Sequence, residues 1–270
     1  MTTRRILSAL AVSLVAGASA LGYYAVEEGH KPGYKDTPHL PGGKWRVHDA
    51  ERPHPPVVTP GAKVGDAPSD AVVLFDGKDL SKWRGDHGDP TWEVVDGAIV
   101  AKAGSGSLIS REEFGDAQIH VEWSAPDPPK GNDQGRGNSG ILIFGRYEIQ
   151  VLDNYKNPTY ADGHAGAVYG QHPPLANALR PPGEWQCYDI LFTAPKFKED
   201  GSVETPAYVT VLVNGVVVQN HAEIYGAMAF RELGRYSPHG PKGPLAFQDH
   251  GDPVRFRNIW VRPIPAQDQG

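Results

Sequence analysis

Three side chains able to handle protons or hydroxyls fall close together in RYEIQVLD, residues 146–153: Glu148, Gln150 and Asp153. In an extended chain successive side chains alternate, so Tyr147, Ile149 and Val151 face one way and Glu148 and Gln150 the other. Strict alternation sends Asp153 to the opposite face, and one β-bulge after Gln150 returns it. Carboxylates spaced in this way can act as general acid and base, or as acid and nucleophile, around a glycosidic bond. The plain alternative is the wet face of a half-buried sheet.

A second constellation lies in GPLAFQDHGDPVRFRNIWVRP. Gln248 and His250 share a face at the end of a strand, with Asp249 on the other. An imidazole titrates near neutrality, so His250 is suited to proton transfer, although capping the glycine turn would serve equally. Arg255 and Arg257 alternate with Phe256 in the last strand, and one of them is expected to pair with a buried carboxylate. Asn138 at a turn, and His164, Tyr169 and Gln171 in a long loop, offer the hydrogen bonds and ring faces that sugar hydroxyls need. Among the tryptophans, Trp123 and Trp185 sit in alternating strands and read as core. Trp83, in DLSKWRGD, is the better placed for a sugar-facing ring. Cys187 is the single cysteine; it excludes an intramolecular disulfide and reads as an inert buried thiol. No metal signature is found: HExxH, an EF-hand loop and paired cysteines are missing, and the histidines are scattered. The sequence leaves any cofactor open.

The elements that must position these groups are strands. Short apolar runs such as AQIHVEW (117–123), GILIF (140–144), WQCYDILFTA (185–194), AYVTVLV (207–213) and VRFRNIWV (254–261) follow one another with almost no helical periodicity. Asn214-Gly215 and Asp96-Gly97 are type I′ hairpin signals. The pattern predicts an all-β fold, a two-sheet antiparallel jelly-roll sandwich. Two long loops, 127–137 and 154–179, are expected to rim the face carrying Glu148 and Gln150.

Residues 1–20 read as a signal peptide: Arg4 and Arg5 precede a short apolar run from Ile6 to about Ala16, and Ala18-Ser19-Ala20 is a small-x-small cleavage site. Residues 21–68, rich in Pro, Gly and His, read as a linker or wrapping arm, and 69–265 as one domain. The expectation is an exported protein, periplasmic or extracellular, with no membrane span after signal removal. The formal charge of −6 argues against a nucleic-acid surface and suits a polar small molecule.

Several blocks, in order, resemble the 3-keto-disaccharide hydrolase domain family: VVLFDGKDLSKWRG, WEVVDGAIVAKAGSGSLIS, FGDAQIHVEW, GRGNSGILIFGRYEIQVLD, GEWQCYDILF, NGVVVQNH and GPLAFQDHGDPVRFRNIWV. The resemblance runs from about Val72 to Pro263 and implies a concanavalin A-like sandwich that cleaves 3-keto-glycosides. The family's polar blocks fall on Asn138, Glu148, Gln150, Asp153, Gln248, His250 and Arg257. The ketone acidifies the C2 proton, so a base can remove it and the C1 substituent can leave by elimination. Water then adds to the enone. This chemistry needs a base, a donor to the enolate oxygen and an acid for the leaving group. Glu148 or His250 is expected as the base. Gln150, Asn138 and Gln248 are expected as oxyanion donors, with Asp153 orienting His250 or serving as acid. Two other functions fit the same fold, a non-catalytic carbohydrate-binding module and a laminarinase-type retaining glycosidase. The glycosidase needs two carboxyl groups about 5 Å apart.

Overall fold

The structure, a computed structural model, describes residues 32–265. The expected signal peptide lies outside the described residues. The described residues fall into two units, 32–55 and 56–265. The described part of the first unit is irregular. It is held by bridges pairing Tyr34 with Asp49 and His39 with Arg46, and by the Arg46 guanidinium donating to the Thr37 carbonyl at 2.6 Å.

The second unit contains fifteen strands: β1 (Val72–Phe75), β2 (Trp83–Arg84), β3 (Glu93–Val95), β4 (Ala98–Val100), β5 (Leu108–Phe114), β6 (Ala117–Ser124), β7 (Ser139–Ile143), β8 (Tyr147–Val151), β9 (Gln186–Thr193), β10 (Lys196–Phe197), β11 (Val203–Thr205), β12 (Ala207–Val213), β13 (Val216–Ile224), β14 (Gly243–Phe247) and β15 (Arg255–Pro263). One sheet runs β13-β12-β9-β6-β15-β4-β3, with β1 also on β15. The second runs β2-β5-β14-β7-β8, and β10 and β11 form a separate pair. All the strand pairings are antiparallel. The protein is an all-β two-sheet sandwich. Both expected hairpins form through two residues of positive φ, 52° and 82° at Asn214-Gly215 and 50° and 71° at Asp96-Gly97. The right-handed twist of the flanking strands favours that turn.

Alternation along each strand builds the core. Ile119, Val121 and Trp123 of β6, Ile141 and Ile143 of β7, and Tyr147, Ile149 and Val151 of β8 all enter it. The rings of Phe247 on β14 and Phe256 on β15 stack at 4.4 Å between the two sheets. Trp83 lies 5.2 Å from Phe247, is fully buried, and donates its indole N–H to the Leu74 carbonyl at 3.0 Å. It is therefore a core residue and not a sugar-facing ring. Its burial follows from the short strand β2, which sequence patterning misses because two residues show no period. Residues 56–68 belong to the sandwich unit. The Gly65 carbonyl accepts from Asn258 Nδ2 and Trp260 Nε1, each at 2.9 Å, on the outer face of the larger sheet.

Candidate active site

The edge of the five-stranded sheet is closed by the 154–179 loop. Gln150 N donates to Ala167 O, Gly166 N to Gln150 O, and Tyr169 N to Glu148 O, at 2.9–3.1 Å. From the other sheet, the Tyr188 hydroxyl donates to the Gln150 carbonyl at 2.9 Å. The backbone of β8 is thus fixed on both sides while its even-numbered side chains face away from the core. There they meet a cavity of about 260 Å³ lined by Gln134, Asn138, Glu148, Gln150, Tyr160, Tyr169, Met228, Phe230, Gln248 and His250.

Register explains how the floor assembles. Gly140 pairs with Gln150 across β7 and β8, and Leu142 with Glu148. Gln248, just past β14, donates its N–H to the Gly140 carbonyl at 3.0 Å. The missing side chain at Gly140 leaves the hollow into which Glu148 leans, since a Cβ there would collide with the Glu148 carboxyl.

Glu148 is 3 % exposed. Among the described residues no donor reaches its carboxyl, and burial pushes its pKa up to about 7. A charged carboxylate loses its hydration there without recovering a partner. The amides beside it have fixed orientations. Gln134 Nε2 donates to Thr159 Oγ1 and to the Gly163 carbonyl, which turns its Oε1 towards Gln150 Nε2 at 2.9 Å. Asn138 Nδ2 donates to the Gln134 carbonyl at 2.6 Å. Each NH₂ spends one of its two hydrogens in these bonds, and Gln150 Oε1 and Asn138 Oδ1 are left buried without partners. Such acceptors are costly unless a ligand supplies hydrogens. Besides the donor hydrogens expected of them, Gln150 and Asn138 thus present acceptors, suited to sugar hydroxyls. A further donor stands beside them. The hydroxyls of Tyr160 and Tyr169 are 2.7 Å apart, so one donates to the other and one hydrogen remains free. Burial and the Tyr169 contact raise the Tyr160 pKa, which keeps that hydrogen in place at neutral pH.

His250 and Gln248 reach the cavity as expected, His250 from the exposed rim. Their loop is anchored by Asp249, whose Oδ2 accepts from Ser105 N at 2.7 Å and Gly106 N at 3.1 Å. Asp153 does not join them. It is 2 % exposed, bound to Arg136 Nε at 2.7 Å, and lines a different cavity with Asp252. It neither orients His250 nor supplies a second carboxyl to the site, because its guanidinium partner compensates its charge elsewhere. Arg257 projects from the larger sheet and pairs with Glu122 at 2.6 Å, outside the cavity lining. Gln171 is also outside the lining. It clamps Tyr225 N and the Gly226 carbonyl, at 2.7 and 3.1 Å, and so positions the segment bearing Met228 and Phe230. His164 ends a 3-10 turn (Ala161–Gly163) and is not part of the lining. Gln134, Tyr160, Met228 and Phe230 were missed by sequence reasoning. The first two lie in the two long loops that composition had marked, whereas nothing local marks Met228 or Phe230.

Residues 70–262 match the family model of the 3-keto-alpha-glucoside-1,2-lyase-like domain. The chain belongs to that family. A crystal structure of a candidate glycosyl hydrolase from Parabacteroides distasonis is 48% identical, with a TM-score of 0.77 over 83% of this chain and 100% of that one. A second structure from the same organism, 24% identical with a TM-score of 0.53 over 73% of this chain and 94% of that one, shares the fold. A 3-keto-disaccharide hydrolase from Bacteroides thetaiotaomicron is 26% identical over 71% of this chain and 77% of its own length.

Proposed function

We propose that this enzyme cleaves 3-keto-glycosides by elimination and hydration, with Glu148 as the base. The observation that carries the reading is the buried, unpartnered Glu148 carboxyl in a cavity of neutral polar groups. With a pKa near 7, roughly half of it is ionised at neutral pH, and it is basic enough to take a proton that an adjacent ketone acidifies. Glu148 removes the C2 proton, and the electron pair moves onto the C3 oxygen as an enolate. The free hydroxyl hydrogen of the Tyr160–Tyr169 pair supports that oxygen. Reformation of the ketone expels the C1 substituent, which takes a proton from His250 or the tyrosine pair. Water then adds at C1 and a proton returns to C2. Gln150 Oε1 and Asn138 Oδ1 accept hydroxyl hydrogens and hold the ring.

A retaining glycosidase mechanism is disfavoured because Glu148 is the only carboxylate among the described residues lining the cavity. The names of the relatives, a 3-keto-disaccharide hydrolase and a 3-keto-alpha-glucoside-1,2-lyase-like domain, support the ketone requirement. The N-terminal segment supports export. The test is product analysis with a 3-keto-glucoside beside its unoxidised parent. Release of the aglycone from the keto sugar alone is expected, and equal cleavage of the parent would refute the reading.

A further inference from the structure

The outer face of the eight-stranded sheet carries a second polar cluster that the proposed reaction does not use. Its residues are brought together by register: on β6 and β9, His120 pairs with Asp189 and Glu122 with Cys187. These four side chains form a square on one face. His120 Nδ1 lies 2.7 Å from Asp189 Oδ1, and the Cys187 Sγ lies 3.9 Å from that nitrogen and 3.6 Å from Asp189 Oδ2.

We infer that His120, Cys187 and Asp189 bind a divalent transition-metal ion with thiolate affinity, zinc above all, on the face of the sandwich remote from the catalytic cavity. Imidazole, thiolate and carboxylate together are a zinc donor set. With bonds of about 2.0–2.3 Å, ligand atoms around a tetrahedral zinc lie roughly 3.3–3.6 Å apart. The two sulfur separations are already within a few tenths of an ångström of that range. With Oδ2 as the ligand oxygen, the hydrogen bond between His120 Nδ1 and the other oxygen, Oδ1, gives way when the metal replaces the shared proton, and one ligand atom from each residue already lies within 4.8 Å of the others. A neutral imidazole bound through Nδ1 keeps its proton on Nε2. That atom lies 3.2 Å from Asn258 Nδ2 and 3.9 Å from Glu122 Oε1, beyond hydrogen-bond length, and Glu122 is itself held by Arg257 at 2.6 Å and Asn258 at 2.9 Å. A turn of the Glu122 side chain on metal binding brings the carboxylate to Nε2, the outer shell that such sites use. Stacking of His120 on Trp260, with centroids 5.1 Å apart, fixes the ring. Asp189 also lines an open surface cavity with Gly65 and Trp260, which provides an entry path and room for water as fourth ligand. Bound metal would staple β6 to β9 in a chain whose lone cysteine allows no internal disulfide.

Cys187 is the chain's single thiol, so its chemistry reports on the site without mutation. The full chain, freed of metal by dialysis, is titrated with zinc chloride and separately with cobalt(II). The expected result is one equivalent bound, a thiolate-to-cobalt charge-transfer band in the near ultraviolet, and slowed alkylation of Cys187 when zinc is present. Cys187→Ser abolishes the band and weakens zinc by more than the roughly 10–100-fold that a lost outer-shell partner costs. Glu122→Gln weakens zinc within that range. No stoichiometric zinc, cobalt bound without the thiolate band, or unchanged alkylation of Cys187 with zinc bound would each overturn the assignment. Binding is read without activity, so it stands or falls separately from the proposed reaction.

Discussion

Glu148 and Glu122 occupy equivalent local positions, each in mid-strand and each turned away from the apolar core between the sheets. Their surroundings make them opposites. The His120 ring 3.9 Å away, with hydrogen bonds from Asn258 and Arg257, outweighs the burial of Glu122 and brings its pKa down to about 2. Its partner His120 responds in kind: burial alone would lower its pKa, but Asp189, Cys187 and Glu122 raise it to about 11. Glu148 has burial and no partner, and rises to about 7. The fold thus holds one carboxylate as a fixed charge and keeps the other poised to gain or lose a proton. Neighbours, rather than residue type or backbone, separate the structural glutamate from the one suited to catalysis.

The largest expected effect comes from removing the poised group. Glu148→Gln should lower kcat/KM by roughly 10²–10⁴-fold. The same substitution should stabilise the fold at high pH. The folded-state pKa of Glu148 lies above its ordinary value of 4.5, so the folded state binds the proton more tightly than the unfolded chain. Stability from this group is complete below about pH 4.5, is lost as pH rises to about 7, and is then lower by about 3 kcal/mol. Urea denaturation at pH 8 should show the variant gaining stability on that order, with little difference at pH 4. For the wild type, kcat/KM should climb with pH through about 7 as the base ionises. A flat profile would count against Glu148.

Gly140→Ala tests the hollow. Its Cβ displaces the Glu148 carboxyl, and misplacing a reacting group by about 1 Å costs roughly 10²-fold. Steady-state kinetics should show the loss chiefly in kcat, with circular dichroism unchanged. The smallest effect is expected on the other sheet. Arg257→Ala removes one charged hydrogen bond from Glu122, whose side chain is partly exposed, as is that of Arg257. Stability should fall by about 1 kcal/mol, and turnover of keto-glycoside should be unchanged. A large loss of turnover here would erase the contrast between the two glutamates.

The strands, both I′ hairpins and the shared face of Glu148 and Gln150 were legible in sequence because alternation and turn chemistry are local signals. Trp83 was misread because β2 has only two residues. The roles of Asp153 and Arg257 depended on which opposite charge the fold brings near, and Arg136 and Glu122 are 17 and 135 positions away. The orientation of the Gln150 and Asn138 amides was also hidden, since it is set by Gln134 in a separate loop. The Tyr160–Tyr169 pair sat in a loop that composition marked as functional, but a hydroxyl–hydroxyl contact has no period to reveal it.

The central claim is that Glu148 removes the C2 proton of a 3-keto-glycoside. It is tested most directly by turnover in D₂O, with the released 3-keto sugar examined by NMR against an enzyme-free control. The account predicts one deuterium at C2 of the wild-type product. It also predicts that Glu148→Gln slows labelling and aglycone release together. Full turnover with hydrogen retained at C2 would contradict elimination, and undiminished labelling by Glu148→Gln would contradict the assignment of the base.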